Sequence, residues 1–187
     1  MDQYTTAGSL LGIGLLQSLT AIKTNDPSIE RKNLVGGTVC AVAFFHYMLM
    51  ICTDSERSTI RYADWFITLP LLFFECVLLC DVDIPANVPS IMTCVALLVL
   101  MLIFGKIARG RKSAFALAFL CLVAFVAIFV TLLPQKSSTD GIVTLSVVST
   151  WFLYGVAEWY GSERTLNSLD VLNKALFGLF VVLSSWK

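Results

Sequence analysis

A bundle of seven membrane-spanning α-helices is the fold this sequence predicts, and three observations predict it. The 187 residues are 57% hydrophobic and 14% charged, with a mean hydropathy of +0.81. A soluble domain carries about a quarter charged residues and about half apolar ones. The apolar excess falls into seven runs, each close to the roughly 20 residues that cross a bilayer. The breaks between the runs are short and polar, which makes consecutive helices antiparallel neighbours in one all-α bundle. Residues 1–187 then form a single domain, with no internal repeat.

The elements follow in order. The first run, residues 5–22, is short. It follows acidic Asp2 where a secretory leader would be basic, so it reads as a first span and not a cleavable leader. The second covers 33–52 after KTNDPSIERK, and the third 59–80 after TDSERS. The fourth covers 88–107 after DVDIPANVP, and the fifth 113–133 after GKIARGRK. PQKSSTDG precedes the sixth, 141–160, and GSERTLNS the seventh, 166–186.

Thirteen basic and thirteen acidic residues cancel, so no nucleic-acid partner is implied; the implied partner is the lipid bilayer. With the N-terminus outside, the inner segments hold Lys23, Arg31, Lys32, Lys136 and Lys187. The outer ones hold Arg57, Lys106, Arg109, Arg111, Lys112 and Arg164. That distribution lacks the usual cytoplasmic excess of Lys and Arg, so loop charge leaves the orientation open. Nearly all six cysteines sit in apolar runs and read as small hydrophobes, not a disulfide framework. Cys76 and Cys80, one turn apart, have no cluster of His or carboxylates beside them to make a metal site; they read as lipid-facing or packing residues.

Ionisable groups at membrane depth are costly, so each is a functional candidate. They are His46, Arg61, Asp64, Glu75, Glu158, Asp170 and Lys174. In RYADWFITLPLLFFEC, Arg61 and Asp64 are three residues apart and Asp64 and Thr68 four, so all three share one face. Glu75 follows Asp64 by eleven residues, close to three turns, and returns to that face about 16 Å along the axis. One helix thus carries two carboxylates at different depths, as a proton path requires. Asp64 lies among cations that favour its ionised form, and LLFFECVLL surrounds Glu75 with apolar groups that favour its neutral, proton-bearing form. Asp170 and Lys174 in LDVLNKALFG are again one turn apart. A Lys so placed is paired, deprotonated or covalently modified; as an imine it would be a buried cation needing a counterion. A single pair of this kind is often a structural ion pair. Arg, two carboxylates and a Lys in register on two helices argue for chemistry.

RYADWFITLPLL followed by a carboxylate resembles the third helix of the microbial (type I) rhodopsins. AFFHYMLM and DVLNKALFGL resemble the proteorhodopsin branch. The resemblance covers all seven runs and implies a bundle enclosing all-trans retinal, with the N-terminus outside and trimers or pentamers usual. Position by position it implies Lys174 as the Schiff-base lysine, Asp64 as primary counterion and proton acceptor, and Asp170 as second counterion. It implies Arg61 on the release side, a D-T-E pattern of Asp64, Thr68 and Glu75 with Glu75 as cytoplasmic proton donor, and His46 hydrogen-bonded to the acceptor carboxylate. Trp65 and Trp151 match the tryptophans that sandwich the polyene. Tyr62, Tyr154, Met101 and Gly105 match other pocket positions, and Leu72 matches the colour-tuning position, where Leu implies green absorption.

Three departures stand out. Gly155 replaces the proline that usually follows the sixth-helix tyrosine. Glu158 falls where an aromatic is usual, facing an outer vestibule or an ion path, the vestibule being favoured. The loop before the seventh helix is short, leaving Glu163 as the obvious outer carboxylate. Such trimmed chains are similar to rhodopsins of large algal and protist viruses. The resemblance implies first an outward light-driven proton pump. A light-gated cation channel is the alternative and a photosensor a third reading. No nucleophile–base set apart from the retinal site points to an enzyme, and no metal site is implied.

Overall fold

The computed structural model describes residues 1–53, 57–108, 111–133 and 139–186. Among them, seven helices are long and apolar enough to cross a membrane. They are α1 (Gln3–Lys23), α2 (Pro27–Cys52), α3 (Arg57–Leu79) and α4 (Ile84–Ile107), then α5 (Lys112–Leu132), α6 (Thr139–Trp159) and α7 (Glu163–Ser184). Arg109, Lys136 and Lys187, three of the charges that bear on orientation, lie outside the described residues.

Helix starts depend on caps as well as on apolar length. The Asp2 carboxylate accepts from Thr5 N at 2.7 Å and opens α1; that bond holds its carboxyl below the usual carboxylate range. α2 begins at Pro27 and not at residue 33. Asp26 accepts from Ser28 N at 2.7 Å, and proline at the first helical position has its φ already set. α4 likewise begins before residue 88, where Asp83 caps the chain ahead of Pro85. A Lys32–Asp81 ion pair of 3.0 Å ties α2 to the turn after α3.

Each helix packs against its neighbour in sequence, and α7 returns to α1 and α2, closing a ring. Within the ring α3 and α7 are the inner helices. In each, 61% of the most apolar stretch is buried, against 22–39% for the other five. The larger apolar cluster lies between α3, α4, α5, α6 and α7, with Phe73, Phe125 and Phe129 in mutual ring contact. Cys76 and Cys80 are buried in that region, so they pack inward and do not face lipid. A smaller cluster joins α1, α2 and α7 around Leu10, Ala43 and Tyr47. Small residues bring α1 and α2 together: a Cβ at Gly14 would stand 3.0 Å from Cys40 Cβ, the close approach that membrane helix pairs favour.

α7 is not uniform. Its middle, Val171–Leu176, is π-helical, and Lys174 sits inside that segment. Such widened turns recur at functional sites.

Candidate functional site

The π-helical turn presents Lys174 toward α3. Its Nζ lies 2.5 Å from Asp64 Oδ2 and 3.2 Å from Asp170 Oδ1. All three side chains are buried. The two carboxylates differ in their other partners. Asp170 Oδ2 accepts from the Tyr47 hydroxyl at 2.6 Å and Oδ1 from the Tyr154 hydroxyl at 2.9 Å. Asp64 Oδ1 has no hydrogen-bond partner among the described residues. Bonds to the ionised form stabilise it, so Asp170 is the better-solvated anion and Asp64 retains acceptor capacity.

Arg61 joins the cluster through an amide: it donates from Nη2 to Asn167 Oδ1 at 2.9 Å. Tyr47 also reaches that oxygen, at 3.1 Å. Asn167 in turn donates to the backbone oxygen of Met1 at 3.2 Å, so this end of the cluster is the N-terminal end of the bundle. Thr68 donates to the Asp64 backbone oxygen at 2.9 Å.

The hydrogen bond expected between His46 and Asp64 is not made. His46 Nδ1 is 3.8 Å from Asp64 Oδ1, while the Val42 carbonyl one turn earlier takes that nitrogen at 2.8 Å. The histidine remains beside the carboxylate as a polar neighbour.

Three turns along α3, Glu75 is buried. It accepts from Gln17 Nε2 of α1 at 3.1 Å. Phe73, Cys76 and Val77 beside it in sequence are fully buried, so this half of the bundle is closely packed.

A cavity of about 820 Å³ runs from Lys174 between α3, α4, α5 and α6. Tyr62, Trp65, Leu72, Met101, Gly105, Trp151 and Tyr154, the pocket residues expected from sequence, all line it. Trp65 meets the Tyr154 ring edge-on at 5.2 Å, and Trp151 stacks on Phe125 at 5.5 Å. The indole N–H groups of both tryptophans are buried without a partner among the described residues. Apolar, aromatic walls with one amine inside suit a large conjugated molecule attached through that amine. Glu158 lines the same cavity together with Tyr160 and Gly161 of the α6–α7 turn. Gly161 makes that turn with φ +65°, a conformation glycine adopts without strain.

Sequence comparison decides the family. Residues 3–187 match the model of the bacteriorhodopsin-like proteins. The chain belongs to this family. It is a microbial type I rhodopsin: a multi-pass membrane protein whose family membership implies retinal bound to a lysine, and a photoreceptor or ion transporter, not an enzyme. It is 29% identical over 177 residues to the green-light absorbing proteorhodopsin of Gamma-proteobacterium EBAC31A08, covering 79% of this chain and 70% of the relative. Identity to bacteriorhodopsin of Halobacterium salinarum is 25% over 210 residues, with 94% and 80% covered. The fold matches the thermophilic rhodopsin from Rubrobacter xylanophilus (TM-score 0.84, 21% identity, 98% of this chain and 93% of that one). It also matches viral rhodopsin OLPVRII (TM-score 0.82, 21% identity, 96% and 93%).

Four polar residues of this rhodopsin's interior escape a reading of charges alone: Gln17, Tyr47, Asn167 and Asn173. Asn173 accepts from the Thr150 hydroxyl at 2.5 Å. Gln17, Tyr47 and Asn173 leave a signal in the sequence as hydrogen-bonding groups in apolar runs, whereas Asn167 falls in the polar stretch GSERTLNS and does not stand out. The partners, however, lie on other helices.

Proposed function

We propose that this rhodopsin is an outward light-driven proton pump, with retinal on Lys174. The observation that carries the reading is the division of labour along α3. Asp64 lies against the Lys174 amine, and Glu75 lies three turns away in a closely packed interior. Retinal, when bound, supplies a light-driven change of shape at the end of the Lys174 side chain.

The chain's own residues do the rest. Asp64 Oδ2 takes a proton held at Lys174 Nζ. Asp170, fixed by Tyr47 and Tyr154, remains an anion throughout and holds the amine in place. Arg61, anchored on Asn167, meets the charge that appears toward the N-terminal end. Glu75 then returns a proton to Lys174 Nζ from the opposite side. Exit at the Arg61 end and entry at the Glu75 end make the transport directional. The Met1 contact of Asn167 puts the N-terminus at the Arg61 end; with the N-terminus outside, as the family resemblance implies, release is outward. Trp65 and Trp151 exclude water from the cavity and confine the motion. Assembly is read as a homo-oligomer, trimer or pentamer, on the family resemblance.

The test is the pH of an unbuffered suspension of cells making the protein with all-trans retinal. Illumination acidifies the medium, and a protonophore abolishes the change. No light-dependent change, or alkalinisation, contradicts the reading.

One observation favours a second reading, a light-gated cation channel. Glu158 lines the cavity beside the short α6–α7 turn, where a carboxylate could attract cations. A channel needs a hydrated path on both sides of the site, and the close packing around Glu75 weighs against it.

A further inference from the structure

We infer that Gln17 of α1 positions Glu75 for proton transfer, an inference that rests on the reading of Glu75 as the inner proton source. The amide is completely buried in GLLQSL, an apolar stretch where a packing residue would be Leu or Met. A buried amide is costly without hydrogen bonds, and this one is held from several sides. Nε2 donates to Glu75 Oε1 at 3.1 Å. Oε1 accepts from the Cys40 thiol at 3.7 Å, and that thiol also lies 3.8 Å from the Lys174 backbone oxygen. One amide therefore links the Glu75 carboxyl to the backbone of the retinal-bearing lysine through residues of α1, α2, α3 and α7.

The slot that holds it is made by two glycines. A Cβ at Gly36 of α2 would run into both Gln17 Nε2 and Glu75 Oε1. A Cβ at Gly178 of α7 would stand 2.8 Å from Gln17 Oε1 and 3.0 Å from Ile13 Cγ2. Both neighbouring helices thus omit a side chain beside the amide, α2 where it meets the carboxyl and α7 at its oxygen end.

The geometry assigns Gln17 two tasks. It fixes the direction of the carboxyl while Glu75 carries its proton. When that proton leaves, the same N–H faces a carboxylate, and a hydrogen bond to a charged acceptor is about twice as strong as a neutral one. Gln17 therefore eases proton release where the apolar walls oppose charge. It acts through Glu75 and does not touch the retinal site itself.

The test uses the full-length protein with retinal in lipid, and an unchanged visible absorption maximum certifies an intact pocket. Gln17→Met keeps the length and removes both hydrogen bonds; Gln17→Asn keeps an amide but withdraws it by one methylene. Flash photolysis reads the rate of inner reprotonation. Infrared difference spectroscopy reads the carbonyl stretch of protonated Glu75, assigned by its loss in Glu75→Gln. Both Gln17 variants should slow reprotonation, Gln17→Met by about tenfold or more on the loss of a hydrogen bond to a charged group. Both should move the Glu75 stretch to higher frequency, which a merely structural role would not do. If Glu75→Gln leaves the rate unchanged, the reading of Glu75 fails and this inference with it. If Glu75→Gln slows recovery while the Gln17 variants do not, the inference is overturned and the reading of Glu75 stands. A shifted stretch with an unchanged rate also overturns it, since the bond would then not serve the transfer.

Discussion

The Tyr47 hydroxyl lies 2.6 Å from Asp170 Oδ2, a bond from α2 to α7 that separates the roles of two otherwise similar carboxylates. Asp170 has Tyr47 and Tyr154 as donors besides Lys174. Asp64 has the Lys174 amine on one oxygen and no hydrogen-bond partner on the other among the described residues. Tyr47→Phe removes one donor from a buried anion, which costs about 1.5–3 kcal/mol for a hydrogen bond to a charged group. Thermal unfolding of the purified protein should show the loss. Unchanged stability would mean that Asp170 does not depend on this hydroxyl.

Asp64→Asn removes the carboxylate nearest the Lys174 amine. Flash photolysis should show proton transfer from Lys174 Nζ slowed by about 100-fold or more, the scale of a lost acid–base group. Asp170→Asn should leave that transfer in place while shifting the absorption maximum. Equal loss of transfer in both variants would contradict the division between them.

Glu75→Gln should slow recovery of the dark state by about 100-fold or more without altering transfer to Asp64, because the two carboxylates act in separate steps about 16 Å apart on α3. Time-resolved absorption of the early and late phases checks both halves. Unchanged recovery would remove Glu75 from the account.

Leu72 is fully buried on the cavity wall, where a dipole would act directly on a bound chromophore. Leu72→Gln should move the absorption maximum toward the blue, measured on retinal-reconstituted protein. A maximum that does not move would place the chromophore away from this wall.

Asn167 joins Arg61, Tyr47 and the backbone of Met1. Asn167→Leu leaves Arg61 without that acceptor and should delay appearance of the proton outside. A pH-indicator dye in the medium measures the delay, and an undelayed signal would show that Arg61 needs no such anchor.

Much of this arrangement is legible in the sequence because charge at membrane depth is conspicuous. Arg61, Asp64, Glu75, Asp170 and Lys174 are visible at helical spacing on α3 and α7, and the structure shows these two to be the inner helices. Neutral polar partners are not visible in the same way. Gln17 and Glu75 are 58 residues apart, and Arg61 and Asn167 are 106 apart; pairing across helices is set by packing and not by spacing along one helix. Apolar length alone places the start of α2 six residues late, because Asp26 and Pro27 determine it by capping. The π-helical turn at Lys174 has no proline or glycine within it to announce it. The His46 bond misleads because a motif supplies a neighbour but not the competing carbonyl of Val42.

The most direct test of the pump is the photocurrent under voltage clamp with symmetric solutions, recorded across membrane potential. A steady outward current at zero voltage that keeps its sign over the tested range is the predicted result. A current that vanishes and reverses at zero voltage would contradict it, and would turn attention to Glu158 and the short α6–α7 turn as the mouth of a pore.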